Sequence, residues 1–118
     1  MLDFTIQKMN HNLWKRKLSK HLNHDEPINE KEMVSERDCE LGKWLYATGL
    51  GKFSHISEIQ TLEKTHATLH QLTHKIVNLK KMDQKTEAFE KLKELENISE
   101  KIIQLLDTLE LKIKKDES

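Results

Sequence analysis

Apolar residues recur at three- and four-residue intervals along most of this chain, and a single proline, Pro27, stands in the way of continuous helix. A strand needs a period of two, whereas a period near 3.6 gathers the apolar positions on one face of a helix. Phe4, His11 and Leu18 recur every seven residues with Trp14 at the half-step, which predicts a first amphipathic helix over about residues 3–23, His11 on its apolar stripe. The stretch from His24 to Asn29 is polar and holds the proline, which has no N–H to donate inside a helix, so it reads as a connection. Ser35, Glu36 and Asp38 supply an N-cap candidate and first-turn carboxylates for a short helix over about 36–47, with Cys39 in its first turns. Gly49 and Gly51 around Leu50 predict a turn. Ile59, Leu62, His66, Leu69, Thr73 and Ile76 then hold a helical spacing that predicts a third helix over about 53–81, and Leu95, Ile98, Ile102, Leu105 and Leu109 define a fourth.

Four such stripes with short connections predict an all-α fold: an antiparallel four-helix bundle with a short Cys-bearing helix, whose core is where helical proteins build metal sites. At 118 residues, with three glycines in all, residues 1–118 read as a single helical domain. Twenty basic residues balance twenty acidic ones, so the chain as a whole lacks the positive field that binding to nucleic-acid phosphates requires. No run approaches the roughly eighteen apolar residues of a membrane helix, and Met1-Leu2-Asp3-Phe4 opens an amphipathic segment rather than a signal peptide. These readings predict a cytoplasmic protein with no membrane or nucleic-acid partner. One cysteine cannot form an internal disulfide, which leaves Cys39 as a free or metal-bound thiol.

His66 and His70 are four apart, so a helix stacks them one turn above the other, about 6 Å of rise apart, and both imidazoles can converge on one ion. In a helical chain with seven histidines such a pair arises readily by chance, and a lone core histidine is more often satisfied by a backbone carbonyl. His66 and His11 both occupy stripe positions, however, and three inward histidines with one cysteine make separate explanations uneconomical. Zinc in structural sites takes four N or S ligands, and three imidazoles with one thiolate complete a tetrahedron that leaves no water to activate. Such a site is sensory or structural rather than hydrolytic, and the chain reads as no enzyme. His74 stands a further turn on, about 12 Å of rise from His66, too far for one ion to bridge easily. His21, His24 and His55 fall near helix ends or connections.

The string Cys39-Glu-Leu-Gly-Lys-Trp-Leu-Tyr46, with His11-Asn-Leu-Trp14 upstream and His66-Ala-Thr-Leu-His70 downstream, resembles the chemoreceptor zinc-binding (CZB) family, in the right order and over most of the chain. The resemblance implies one Zn2+ held by His11, Cys39, His66 and His70 within a helical bundle. It further implies a sensory or regulatory module of bacterial signalling, of the chemotaxis or cyclic-di-GMP type, responding to zinc availability and to oxidants through the zinc-bound cysteine. Family members are attached to chemoreceptors or diguanylate cyclases and pair as homodimers; this chain shows no cyclase or kinase motif, which suggests a stand-alone or excised module acting on such a partner. Leu106 and Leu111 are the apolar positions expected to remain for a homodimer. Gly42, three residues after Cys39, is expected to let a neighbouring helix approach, and Trp14 and Trp44 to pack around the site. Two other readings compete: a hemerythrin-like diiron bundle, which needs more histidines and bridging carboxylates than the stripes carry, and a purely structural helical adaptor.

Overall fold

In the computed structural model, which describes residues 2–28 and 37–117, every regular element is a helix. Helix α1, Phe4–His24, begins where the Asp3 carboxylate accepts the Ile6 N–H at 3.1 Å and ends at Asp25, whose φ of 54° is left-handed. Helix α2, Glu40–Trp44, continues through a π-helical stretch, Leu45–Gly49, into a last α-helical turn, Leu50–Lys52. Helices α3, Ser57–Lys81, and α4, Lys85–Glu117, complete the chain. Between these two the Gln84 N–H reaches back to the Leu79 carbonyl at 2.9 Å across Asp83 (φ 60°), a Schellman-type stop with aspartate where glycine is usual.

Three boundaries differ from the sequence reading. The short helix begins at Glu40, not near 36, because Cys39 itself takes the N-cap; the proposed Ser35 cap lies outside the described residues. The helix also runs through Gly49, Leu50 and Gly51 instead of turning there. Trp44 is the reason: its ring lies against Gly49 so closely that a Cβ added there would meet Cζ3 at 2.9 Å, and the widened π turn, closed by Leu50 N–H to the Leu45 carbonyl, accommodates it. The third helix starts at Ser57 and not at 53, since Phe53 is drawn into the core and the Ile56 N–H closes a turn onto the Phe53 carbonyl at 2.9 Å.

Ion pairs give the directions. Lys8 with Asp107 and Lys85 with Asp25 set α1 antiparallel to α4, Lys112 with Glu58 sets α3 antiparallel to α4, and Lys80 with Asp25 sets the ends of α1 and α3 side by side. The bundle is antiparallel, with α4, about 50 Å long at 1.5 Å per residue, as its spine along the 51 Å axis of the molecule. The short α2 fills the fourth corner only beside the start of α1, where Trp44 packs edge-on to Phe4 and roughly parallel to Phe53, each 6.1 Å between centroids. On α3 all six stripe residues are buried. On α4 the buried line runs Leu92, Leu95, Ser99, Ile102, Leu106, Leu109 and Ile113, a strict alternation of three and four, so Leu106 and not Leu105 faces the core. Leu106 is therefore fully covered within its own bundle and offers nothing to a dimer, whereas Leu111 is exposed.

Candidate metal centre

The centre lies where α2, α3 and α1 meet. Cys39 precedes α2 with extended backbone, φ −75° and ψ 159°, so its thiol turns back over the helix end and accepts the Gly42 N–H at 3.3 Å. A cysteine thus occupies the N-cap place usual for Ser, Thr, Asn or Asp. Gly42 is buried and contributes through its amide, a role the sequence reading missed. Arg37 stacks its guanidinium 4.2 Å above the Tyr46 ring, pinning the backbone just before Cys39 to the outer face of α2.

The helical spacing of α3 delivers His66 and His70 to the same point. Cys39 Sγ lies 3.1 Å from His66 Nε2, and His70 Nε2 lies 3.1 Å from the same atom. One ligand atom from each of the three residues falls within 4.8 Å of the other two, and among the described residues this is the group of His, Cys, Asp or Glu placed to hold an ion. His11 stands outside that tight set but beside it, its ring 5.9 Å from that of His66 and steeply inclined to it. Its Nδ1–H donates to the Gln7 carbonyl at 2.8 Å, which leaves Nε2 as the atom with a free lone pair. The structure thus brings three of the four predicted donors together and sets the fourth at their edge.

The electrostatics suit a cation. Burial, then the neighbouring His70 and His11, pushes the His66 pKa down to about 3, and burial likewise lowers that of His11, so both rings are neutral and free to ligate at neutral pH. Burial also raises the Cys39 thiol pKa, with the Gly42 and Leu41 amides opposing it. Desolvation outweighs these amides, so without a metal the sulfur is held as a thiol. A tetrahedral zinc with ordinary bond lengths separates two imidazole nitrogens by about 3.3 Å and a sulfur from a nitrogen by about 3.6 Å. The observed 3.1 Å separations need open by only a few tenths of an ångström. Neutral imidazole nitrogens and a thiol are the donor set zinc prefers, and the buried polar side chains among the described residues, Gln7, His11, Thr65, His66, Thr73 and Ser99, include no carboxylate to bridge a diiron pair.

The other histidines lie elsewhere. His74 and His24 are exposed, His55 pairs with Asp116 at 3.1 Å, and His21 donates to the Glu26 carbonyl. Trp44 packs as expected, but Trp14 does more: its indole N–H donates to Thr73 Oγ1 at 3.3 Å, whose hydroxyl donates on to the Leu69 carbonyl, tying α1 to α3 one turn below the centre. Gln7, buried one turn before His11, was also missed; the heptad running Phe4, His11 and Leu18 does point to it as the intervening inward position.

A family model described as "Chemoreceptor zinc-binding domain" matches residues 11–77, more than half of the chain and a stretch that includes every donor named above. No curated protein and no solved structure matches the chain.

Proposed function

The chain belongs to the chemoreceptor zinc-binding domain family, and from that premise we propose that it is a sensory module in which His11, Cys39, His66 and His70 complete the zinc shell. It is a zinc-binding signalling module of the chemoreceptor type; the finer reading is that zinc availability, and oxidation of Cys39, set its output. The observation that carries this is the meeting of Cys39, His66 and His70 at hydrogen-bond distances inside a bundle. His11 joins through Nε2 by a small shift of α1, since its tautomer is already set by the Gln7 carbonyl. Four protein donors leave no open position for water, so the module does no hydrolytic chemistry. Oxidising Cys39 to a sulfenic or higher acid removes one donor of four and frees the cap of α2.

Residues 78–117 lie beyond the matched stretch, yet Leu92, Leu95, Ile102, Leu106 and Leu109 share one core with α1 and α3, which supports reading 1–118 as one domain. No helix among the described residues is long and apolar enough to cross a membrane, in keeping with a cytoplasmic place. Its partners are proposed to be a chemoreceptor, a diguanylate cyclase or a similar signalling protein, with a homodimer of the module itself; Leu111, 65% exposed, is the one of the two expected dimer positions left to serve.

The test is zinc content, by elemental analysis of protein purified without added metal, for the wild type beside single alanine variants of the four donors. One zinc per chain is expected, with affinity lowered at least about 100-fold in each variant, more than loss of an outer-shell partner costs. If His11→Ala kept wild-type affinity while His74→Ala lost it, the ligand set would be wrong. Titration with hypochlorous acid, following zinc release and the mass of Cys39, tests the oxidant arm; zinc retained at doses that oxidise a free thiol leaves zinc availability as the signal.

A further inference from the structure

Helix α1 turns His11 inward, and its opposite face is unusual. Ile6, Met9 and Leu13 are 46, 57 and 49% exposed, three of the five large apolar side chains most exposed among the described residues. Their spacing of three and four places them in one line, and the same line continues as Arg16, Lys17 and Lys20, all exposed. No acidic residue occurs between Phe4 and His24, whereas the helix carries five lysines or arginines in a chain of zero net charge. A shallow groove lined by Leu13, Trp14, Arg16, Lys20 and Glu26 flanks the basic half.

We propose that this face of α1 is the docking site for an acidic amphipathic helix of a partner protein, one whose apolar residues cover Ile6, Met9 and Leu13 and whose carboxylates meet Arg16 and Lys20. A line of anchors at helical spacing is what a helix recognises in another helix. The apolar and basic halves are segregated along the axis and not across it, so a rod with the same segregation matches both at once. A bilayer lying along α1 would have to take apolar and basic residues at one depth. A second copy meets the face poorly, since its own α1 brings five more cations and no carboxylate within the helix. The exposed side of α4 mixes signs, with Lys93 and Lys101 among Glu94, Glu96 and Glu100, and shows no apolar line to cover Ile6 and Leu13. Because His11 and this face share one rigid helix, a partner docked here would feel any shift of α1 that metal binding brings; that consequence rests on the zinc reading, whereas the docking surface does not.

The probes are helical stapled peptides carrying leucines and then glutamates at the spacing of Ile6, Met9, Leu13, Arg16 and Lys20, made in both chain directions, beside lysine counterparts and phosphatidylglycerol vesicles. By fluorescence anisotropy the zinc-loaded protein should bind one glutamate peptide at micromolar concentration, at least tenfold more tightly than its lysine counterpart and more weakly as salt rises. Leu13→Asp, and Arg16→Glu with Lys20→Glu, should each weaken binding at least tenfold, with helix content and zinc stoichiometry unchanged because these positions are exposed. Three outcomes overturn the proposal: equal binding of the two peptides, tighter association with the vesicles than with either glutamate peptide, or a wild-type dimer that Leu13→Asp converts to monomer. Zinc stoichiometry measured on the same samples keeps a failure of the metal assignment separate from a failure of the docking face.

Discussion

A cysteine in the place of a helix cap is the residue on which the behaviour of this centre turns. An N-cap serine or aspartate satisfies helix N–H groups and does nothing else, whereas a thiol there can trade the Gly42 N–H contact for a metal bond without moving the backbone. Without metal, burial opposes charge on both sides of the contact: it holds His66 neutral down to about pH 3 and keeps Cys39 protonated above its ordinary range. The lowered His66 pKa means that below the unfolded histidine value, near 6.5, the unfolded chain binds a proton that the folded one refuses. Stability of the metal-free protein should therefore fall as pH drops from about 7 toward 4, by denaturant midpoint, and His66→Leu should flatten that fall. A midpoint independent of pH over this range in the wild type would show that His66 is not held neutral by its surroundings. The raised Cys39 pKa acts at the other end, where stability is present below about pH 9 and is lost above it.

At the level of elements, α2 is the part that belongs least to the bundle and most to the site. It is short, it packs at one end, and its hold on the rest runs through Trp44 between Phe4 and Phe53 and through Leu41 and Leu45 in the core. Gly49 permits that hold, because a side chain there would collide with the Trp44 ring at 2.9 Å. Gly49→Ala should cost about 1–3 kcal/mol as an overpacking change and lower zinc affinity with it, since Cys39 travels with α2. Gly51→Ala is the control: a Cβ there meets nothing within 4 Å and the melting temperature should stay or rise slightly. If both variants melt alike, Trp44 has room that the packing does not suggest.

For the molecule as a whole, metal and core act on different parts of one structure. The proposed donors come from α1, the cap of α2 and α3, so zinc is expected to bind the folded chain and not the unfolded one, and chelation should lower the melting temperature in proportion to the logarithm of free zinc. Helix α4 supplies no proposed ligand but lines the core with Leu92, Leu95, Ile102, Leu106, Leu109 and Ile113. Truncation after Lys93 should abolish cooperative folding, followed by circular dichroism, and so remove zinc binding only indirectly. A folded, zinc-bound fragment lacking α4 would contradict this division of labour.

The helical period was legible from the chain because burial of one face repeats along a helix: the stripe on α3, the inward place of His11 and the i, i+4 pair of His66 and His70 needed only local geometry. Local rules also located α1 and the end of α3 to within a residue. They failed where a distant neighbour decides the outcome. Two glycines that read as a turn are helical because Trp44 fills the space beside one of them, Phe53 leaves its helix for the core, and Leu106 faces inward because α4 keeps a 3–4 alternation against two helices at once. The approach of Cys39 to His66 across 27 residues was anticipated only through the family resemblance, whereas the raised pKa of its thiol and the exposed apolar and basic face of α1 belong to tertiary structure alone, since each depends on which surfaces the packed helices cover and which they leave to water.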